Sequence, residues 1–257
     1  MSQIITLLSD WRLRDPYVAM LKGEILKILP DAQIVDITHY VNKFDLLQTA
    51  LLMKTCYSSF PEGTIHLILT NMSLNSTFPP VLLNAHGRQF IGEDNGVFHL
   101  MFGQEFALRG KQVADNSGNT LSQLLHLLSL AANGTVDGPE TTEYLQFKRM
   151  LTLESDHTPE NQQIEGQIIY IDAFNNAVTD IPVKMFEEVV GNRPFTATIQ
   201  SKGVWKITQH YNSYNGSDGE MYLCNNALGF IEVAAYQSDV AVLADLDLGD
   251  KIFIHYE

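Results

Sequence analysis

Strand-like and helix-like segments alternate through the first half of this chain, and no other property of the sequence restricts its fold as much. Ile4 to Leu8 is a short apolar run of the kind a strand buried on both faces requires. Asp15-Pro16 then opens a helix, Asp as a candidate cap and Pro at a position where no backbone bond is lost. Val18, Leu21, Ile25 and Ile28 follow at spacings of three and four, giving one apolar stripe, and Pro30 stops it. The pattern recurs with a strand over Gln33 to Ile37, a helix over Phe44 to Tyr57 and a strand over Thr64 to Thr70. Val81 to Leu83 and Gln89 to Ile91 read as a hairpin, and Thr120 to Ala132 as a helix stopped by Asn133-Gly134. Such alternation predicts an α/β layered domain with a mostly parallel sheet.

The second half reads differently. Strand signals dominate over Gln167 to Asp172, Phe195 to Gln200, Val204 to Thr208, Met221 to Leu223, Gly229 to Tyr236 and Lys251 to His255, and only Val183 to Val190 looks helical. The expected organisation is an α/β domain over residues 1–155, a polar linker over 156–163, and a small β-barrel domain over 164–257.

Charge narrows the partners. Lys and Arg number 16 against 30 Asp and Glu, a formal charge of −14, and the basic groupings are as small as Arg12 with Arg14. Such a surface repels nucleic acid and anionic membranes, and no apolar run has membrane-spanning length, so the expected setting is the cytoplasm. Cys56 and Cys224 lie in apolar patterns and read as small buried hydrophobes. The eight histidines form no metal-ligand spacing, and no metal is expected.

Phosphate-binding glycine loops, dinucleotide fingerprints and nucleophile elbows are missing. The remaining candidates are polar residues at the ends of expected strands, where open α/β sheets bind ligands. Asp10 follows the first strand, where a carboxylate suits a ribose diol or simply caps a turn. Asn71 follows the strand ending at Thr70 and also suits a turn. Asp94-Asn95-Gly96, Asn175-Asn176 and the segment Asn226 to Gly229 are turns by default.

Taken in order, these segments resemble one family, the S-adenosylmethionine (SAM) hydroxide adenosyltransferases with the related fluorinases and chlorinases. Ser9-Asp10-Trp11 with Asp15-Pro16-Tyr17-Val18 is similar to the family opening T-D-F-G-x-x-D-P-Y-V. Gly92-Glu93-Asp94-Asn95-Gly96 resembles G-P-D-N-G, Tyr170 to Asn176 resembles Y-I-D-x-F-G-N, and Gly229 to Ala234 resembles G-x-L-E-I-A. The resemblance implies an N-terminal α/β domain, a C-terminal barrel and a homotrimer, with SAM as substrate and no further cofactor. It also implies attack of water on the ribose C5′ carbon, giving adenosine and methionine. Carried over by position, Asp10 holds the ribose hydroxyls, Asn176 contacts ribose or methionine, and Asn226 and the backbone near Glu232 contact adenine.

The departures fall at the methionine end, where the family's small polar residues map near the apolar Ala227 and Leu228, and on the water-activating groups. The family segment D-P-G-V-G-T-x-R aligns with Asn71 to Phe78, so its aspartate becomes Asn71 and its arginine Phe78. Its histidine falls near Ser117 to Thr120, where none occurs, and His126 lies further along the helix. Asn71 is therefore the candidate catalytic position, as a group that orients rather than deprotonates water. Two functions stay open: a SAM hydrolase of reduced activity, or an adenosine-binding homologue that has lost catalysis. A trimeric structural protein that binds neither is a third.

Overall fold

The structure is a computed structural model that describes residues 2–74, 79–103, 105, 107–114, 119–150, 155–200, 204–211 and 218–257. The chain divides after Leu151 into two compact units.

In the first unit the alternation folds as expected. β1 (Ile4–Leu8), α1 (Tyr17–Ile28), β2 (Gln33–Thr38), α2 (Leu46–Cys56) and β3 (Ile65–Ile68) come first, followed by the hairpin β4 (Pro80–Ala85) and β5 (Arg88–Glu93). α3 (Val97–Phe102), β6 (Gly110–Val113), α4 (Thr120–Ala132) and β7 (Thr141–Tyr144) complete it. The sheet order is β2-β1-β3-β5-β4-β6-β7. β2, β1, β3 and β5 run parallel, and β4, β6 and β7 are antiparallel to their neighbours.

Strand alternation sorts side chains into two cores. Ile5, Leu7, Ile65, Leu67, Leu82 and Ile91 pack with Leu21 and Ile25 of α1 and Leu124, Leu127 and Leu128 of α4. Leu8, Ile68, Val81, Leu83 and Phe90 pack with Met53 of α2 and Phe98, Met101 and Phe102 of α3. Helices thus cover both faces, as a mostly parallel sheet requires. Because α1 and α2 lie on opposite faces, the chain leaving β1 and the chain leaving β2 turn apart and open a crevice at the strands' carboxyl ends.

One local expectation changes, one holds with an addition, and two strands were not foreseen. The α1 N-cap is Pro16, and Asp15 makes no capping bond. The Asn-Gly turn expected at 95–96 has its positive φ at Gly96 (109°), and it launches α3, which is too short to give a helical period. β6 and β7 escape the sequence because Gly110-Lys111-Gln112-Val113 and Thr141-Thr142-Glu143-Tyr144 carry little apolar signal at the sheet margin.

The second unit contains β8 (Asp156–Thr158), β9 (Gln163–Ile171), β10 (Ala177–Pro182), α5 (Val183–Val189), β11 (Phe195–Gln200), β12 (Val204–Ile207) and β13 (His210–Tyr211). It ends with β14 (Met221–Asn225), β15 (Phe230–Ala235), α6 (Val240–Leu243) and β16 (Lys251–Tyr256). The sheet runs β12-β11-β16-β9-β10-β15-β14-β13, with β8 also on β9. It curls as a half-barrel around one core, where Ile164, Ile168, Ala197, Ile199, Ile231, Val233, Ile252 and Ile254 meet Phe186 of α5. The polar segment 156–163, expected as a linker, carries β8 and a 3-10 turn over Pro159–Asn161, because Asp156, His157 and Thr158 pair with Glu165, Ile164 and Gln163.

Candidate functional site

Asp10 stands two residues beyond β1 and is 8% exposed. Its Oδ2 accepts the backbone N–H of Phe44 at 2.9 Å and of Asn71 at 3.2 Å. One carboxylate oxygen thus ties the ends of β1 and β3 to the loop before α2. Among the described residues its Oδ1 accepts no such bond and is left for a ligand. Arg12, Phe44 and Asn71 all adopt left-handed backbone, with φ of 65°, 66° and 56°. Asn tolerates that region, whereas Phe and Arg adopt it at a cost of about 1–2 kcal/mol each.

These loops border a cleft of about 720 Å³, within the usual range for small-molecule pockets. Asp10, Trp11, Phe44, Asn71 and Ser73 are among its walls. Asn71 is exposed and borders the cleft, while its backbone N–H holds Asp10.

The supports lie behind the cleft. Ser9, fully buried, has its Oγ 2.7 Å from Nδ1 of His39 and accepts the N–H of Trp11 at 3.3 Å. His39 Nε2 lies 3.2 Å from Asp36 Oδ1 without hydrogen-bond alignment. Burial raises the Asp36 pKa, but Lys22 at 2.6 Å and His39 outweigh it, so the net direction is down. Serine, histidine and aspartate are strung together here, yet with no surface on Ser9 the string fixes the Asp10 loop rather than offering a nucleophile. At the end of β3, Asn95 Nδ2 donates to the carbonyl of Thr70 at 3.0 Å, and the Thr49 hydroxyl donates to that of Thr70 at 2.9 Å. Asp94 Oδ2 accepts from the Tyr144 hydroxyl at 2.7 Å and from the Lys148 N–H at 2.8 Å. Asn95, read from sequence as part of a turn, therefore braces the segment that delivers Asn71, while Asp94 ties the same turn to Tyr144 and Lys148.

Of the other expected residues in this unit, Phe78, Ser117 and Gly118 lie outside the described residues. Asn119 caps α4, its Oδ1 accepting from Ser122 N at 2.9 Å. His126 sits 2.9 Å from Glu140 in an exposed pair and does not border the cleft.

In the second unit, the expected residues cluster where β10, β15 and β14 lie side by side, with Val178 and Cys224 both in register with Glu232. Asn176 is 5% exposed, and its backbone N–H donates to Asp172 Oδ1 at 2.9 Å. The same oxygen takes the N–H of Phe174 at 2.8 Å, which closes the turn between β9 and β10. Asn226 Nδ2 donates to the fully buried Glu232, and its Oδ1 takes the N–H of Leu228 at 2.6 Å. Asn226 and Glu232 are thus brought together, and the Asn226 side chain is spent on its own turn. The Cys224 thiol is pushed up to about 12, first by burial and then by the carboxylates of Glu232 and Asp172. Cys56 is pushed up to about 11 by burial. Neither thiol is a nucleophile at neutral pH.

Residues 5–134 match the SAM hydroxide adenosyltransferase N-terminal domain, and residues 166–253 match its C-terminal domain. The chain belongs to the SAM hydroxide adenosyltransferase family. It is 26% identical to the (R)-S-adenosyl-L-methionine hydrolase of Methanocaldococcus jannaschii over 98% of this chain and 96% of that one. With the enzyme of the same name from Thermus thermophilus it shares 28% identity over 72% and 78% of the two chains. A fluorinase of Nocardia brasiliensis is 35% identical over 31% of this chain and 27% of its own. An uncharacterised conserved protein of Thermotoga maritima has the same fold, with a TM-score of 0.81 at 20% identity, covering 98% of this chain and all of that one.

Sequence reasoning named Asp10 and Asn71 but passed over Phe44, the Ser9–His39 pair and Lys43, which also borders the cleft. Phe44 carried no sequence signal, since its role rests on a backbone N–H. Arg12 did carry one: it stands where the family opening has glycine, and its backbone keeps the positive φ that glycine favours.

Proposed function

We propose that this chain is a SAM hydrolase-like protein that holds the ribose of SAM through Asp10 and cleaves it at C5′. Water supplies the oxygen of the new C5′–O bond, the C5′–S bond breaks with its electron pair passing to sulfur, and the water proton goes to solvent. Adenosine and methionine result. The sulfonium is already a good leaving group, so the protein's task is to place one water in line with the C–S bond.

The observation that carries this reading is the buried Asp10 carboxylate, with one oxygen committed to two backbone N–H groups and the other left for a diol. Asn71 borders the same cleft and is assigned to orient the water. As a neutral amide it takes no proton, and losing a general base typically costs about 10²–10⁴ in rate. Asn176 is assigned to ribose or methionine, and the backbone of the turn at Asn226 and of the strand near Glu232 to adenine, since the Asn226 side chain is already bonded and Glu232 is buried. Action as a homotrimer in the cytoplasm belongs to the same proposal, and sedimentation at equilibrium tests the trimer.

Asn71 at the family's aspartate position also favours a second reading, an adenosine-binding homologue without catalysis. Incubation with SAM, followed by chromatography for adenosine, separates the two. Slow adenosine release that Asp10→Ala abolishes supports the hydrolase. Adenosine binding without release supports the second reading, and absence of both sinks the nucleoside site.

A further inference from the structure

The chain carries a formal charge of −14, yet its cleft is rimmed by Arg12, Arg14 and Lys43, against the carboxylates of Asp10 and Asp15. Among the described residues none of these three cations is paired with a carboxylate within 4 Å, so all three charges are open to a ligand. Unpaired cations gathered at one concave site set a local positive field that an anion satisfies. Arg12 adds a backbone argument. It keeps a φ of 65° with an arginine where the family opening has glycine, and its guanidinium lies 5.4 Å from the centre of the exposed Tyr40 ring. A strained position filled by a long cation points to a use for that cation.

The start of α1 reinforces it. This helix of 12 residues has Pro16 at its N-cap and no side-chain cap, and Asp15 and Tyr17 on either side of it border the cleft. Its first-turn N–H groups are open to an anion at that end. Asp10, more than nine-tenths buried and with Oδ2 alone taking backbone bonds among the described residues, borders the same cleft.

We propose that this cleft also takes a nucleoside 5′-phosphate, with the ribose on Asp10 and the phosphate among Arg12, Arg14 and Lys43. This rests on the nucleoside reading above and deepens it. A cation-rimmed cleft disfavours the sulfonium charge of SAM and favours a phosphate, so the nucleotide competes with SAM for the same place. Nucleotide level then governs how much of the protein is free for SAM.

Calorimetry with adenosine and with adenosine 5′-monophosphate tests this, on the wild type and on the triple variant Arg12→Gly, Arg14→Gln, Lys43→Gln. All three replacements are on exposed or half-buried positions, and glycine relieves the positive φ at 12, so the variant is expected to fold, which its melting temperature checks. The wild type is expected to bind the monophosphate about tenfold or more tightly than adenosine at low salt, with the preference shrinking as salt rises. In the triple variant the two affinities converge while that for adenosine is kept. Equal affinities in the wild type, or a preference that survives in the variant, overturn the phosphate assignment alone. If neither ligand binds, the nucleoside reading beneath it fails as well.

Discussion

His66 gives the account a pH dependence that can be worked from the structure. The ring is wholly buried on β3, its Nδ1 2.7 Å from the hydroxyl of Thr6, its register partner on β1. It stacks on Phe90 with centroids 4.9 Å apart, takes Phe60 edge-on at 5.7 Å and, among the described residues, has no hydrogen-bond partner for Nε2. Burial, with the nearby Arg88 charge adding to it, pushes its pKa from 6.5 down to about 4. Above pH 6.5 the ring is neutral in both folded and unfolded chains and has no effect. Below that, the unfolded chain takes up a proton that the folded one refuses until about pH 4. Stability is therefore full above 6.5 and is lost as pH falls toward 4, at about 1.4 kcal/mol per pH unit and about 3 kcal/mol in all. His66→Phe removes the titration. At pH 8 it leaves the Thr6 hydroxyl unpaired and costs about 1–3 kcal/mol. Urea unfolding of both proteins from pH 8 to 4.5 should show the wild type losing its advantage across that window. Parallel curves would refute the buried neutral histidine within the two strands that lead to Asp10 and Asn71.

Two further predictions concern the frame of the site. Asn119→Ala removes the α4 cap and should lower stability by about 1 kcal/mol in urea unfolding, with adenosine affinity unchanged because Asn119 does not border the cleft. Gly92→Ala places a Cβ 2.6 Å from the carbonyl oxygen of Ile68 at the end of β3, so it should cost about 1–3 kcal/mol and also weaken adenosine binding, read by melting and calorimetry.

How much was legible follows from which interactions leave a pattern. α4 was predicted over the residues it occupies, Thr120 to Ala132, because Leu124, Leu127, Leu128 and Ala131 repeat at helical spacing before Asn133-Gly134. β10 was missed although Asn175-Asn176 was read as a turn. Its Thr179 and Asp180 break the apolar run, and they are tolerated because the Thr179 hydroxyl donates to Ile231 O and Asp180 accepts from Gln167 N. In the cleft, Asp10 was legible as a polar residue closing a buried strand. What holds it was not, since its partners are the backbone N–H groups of Phe44 and Asn71, and a main-chain donor leaves no trace in residue type. The Asn226 side chain was only half legible: its bond from Leu228 N belongs to the local turn, whereas Glu232 comes within reach only when β14 and β15 pair.

The central claim is that Asp10 grips a ribose diol. Its most direct test is calorimetry of adenosine and 2′,3′-dideoxyadenosine on the wild type and on Asp10→Asn, whose amide oxygen can still accept the N–H groups of Phe44 and Asn71. Hydrogen bonds to a carboxylate are worth about 1.5–3 kcal/mol each, so the wild type should prefer adenosine by about tenfold or more, and Asp10→Asn should lose most of that preference. The same preference in both proteins, or none in the wild type, would contradict the assignment.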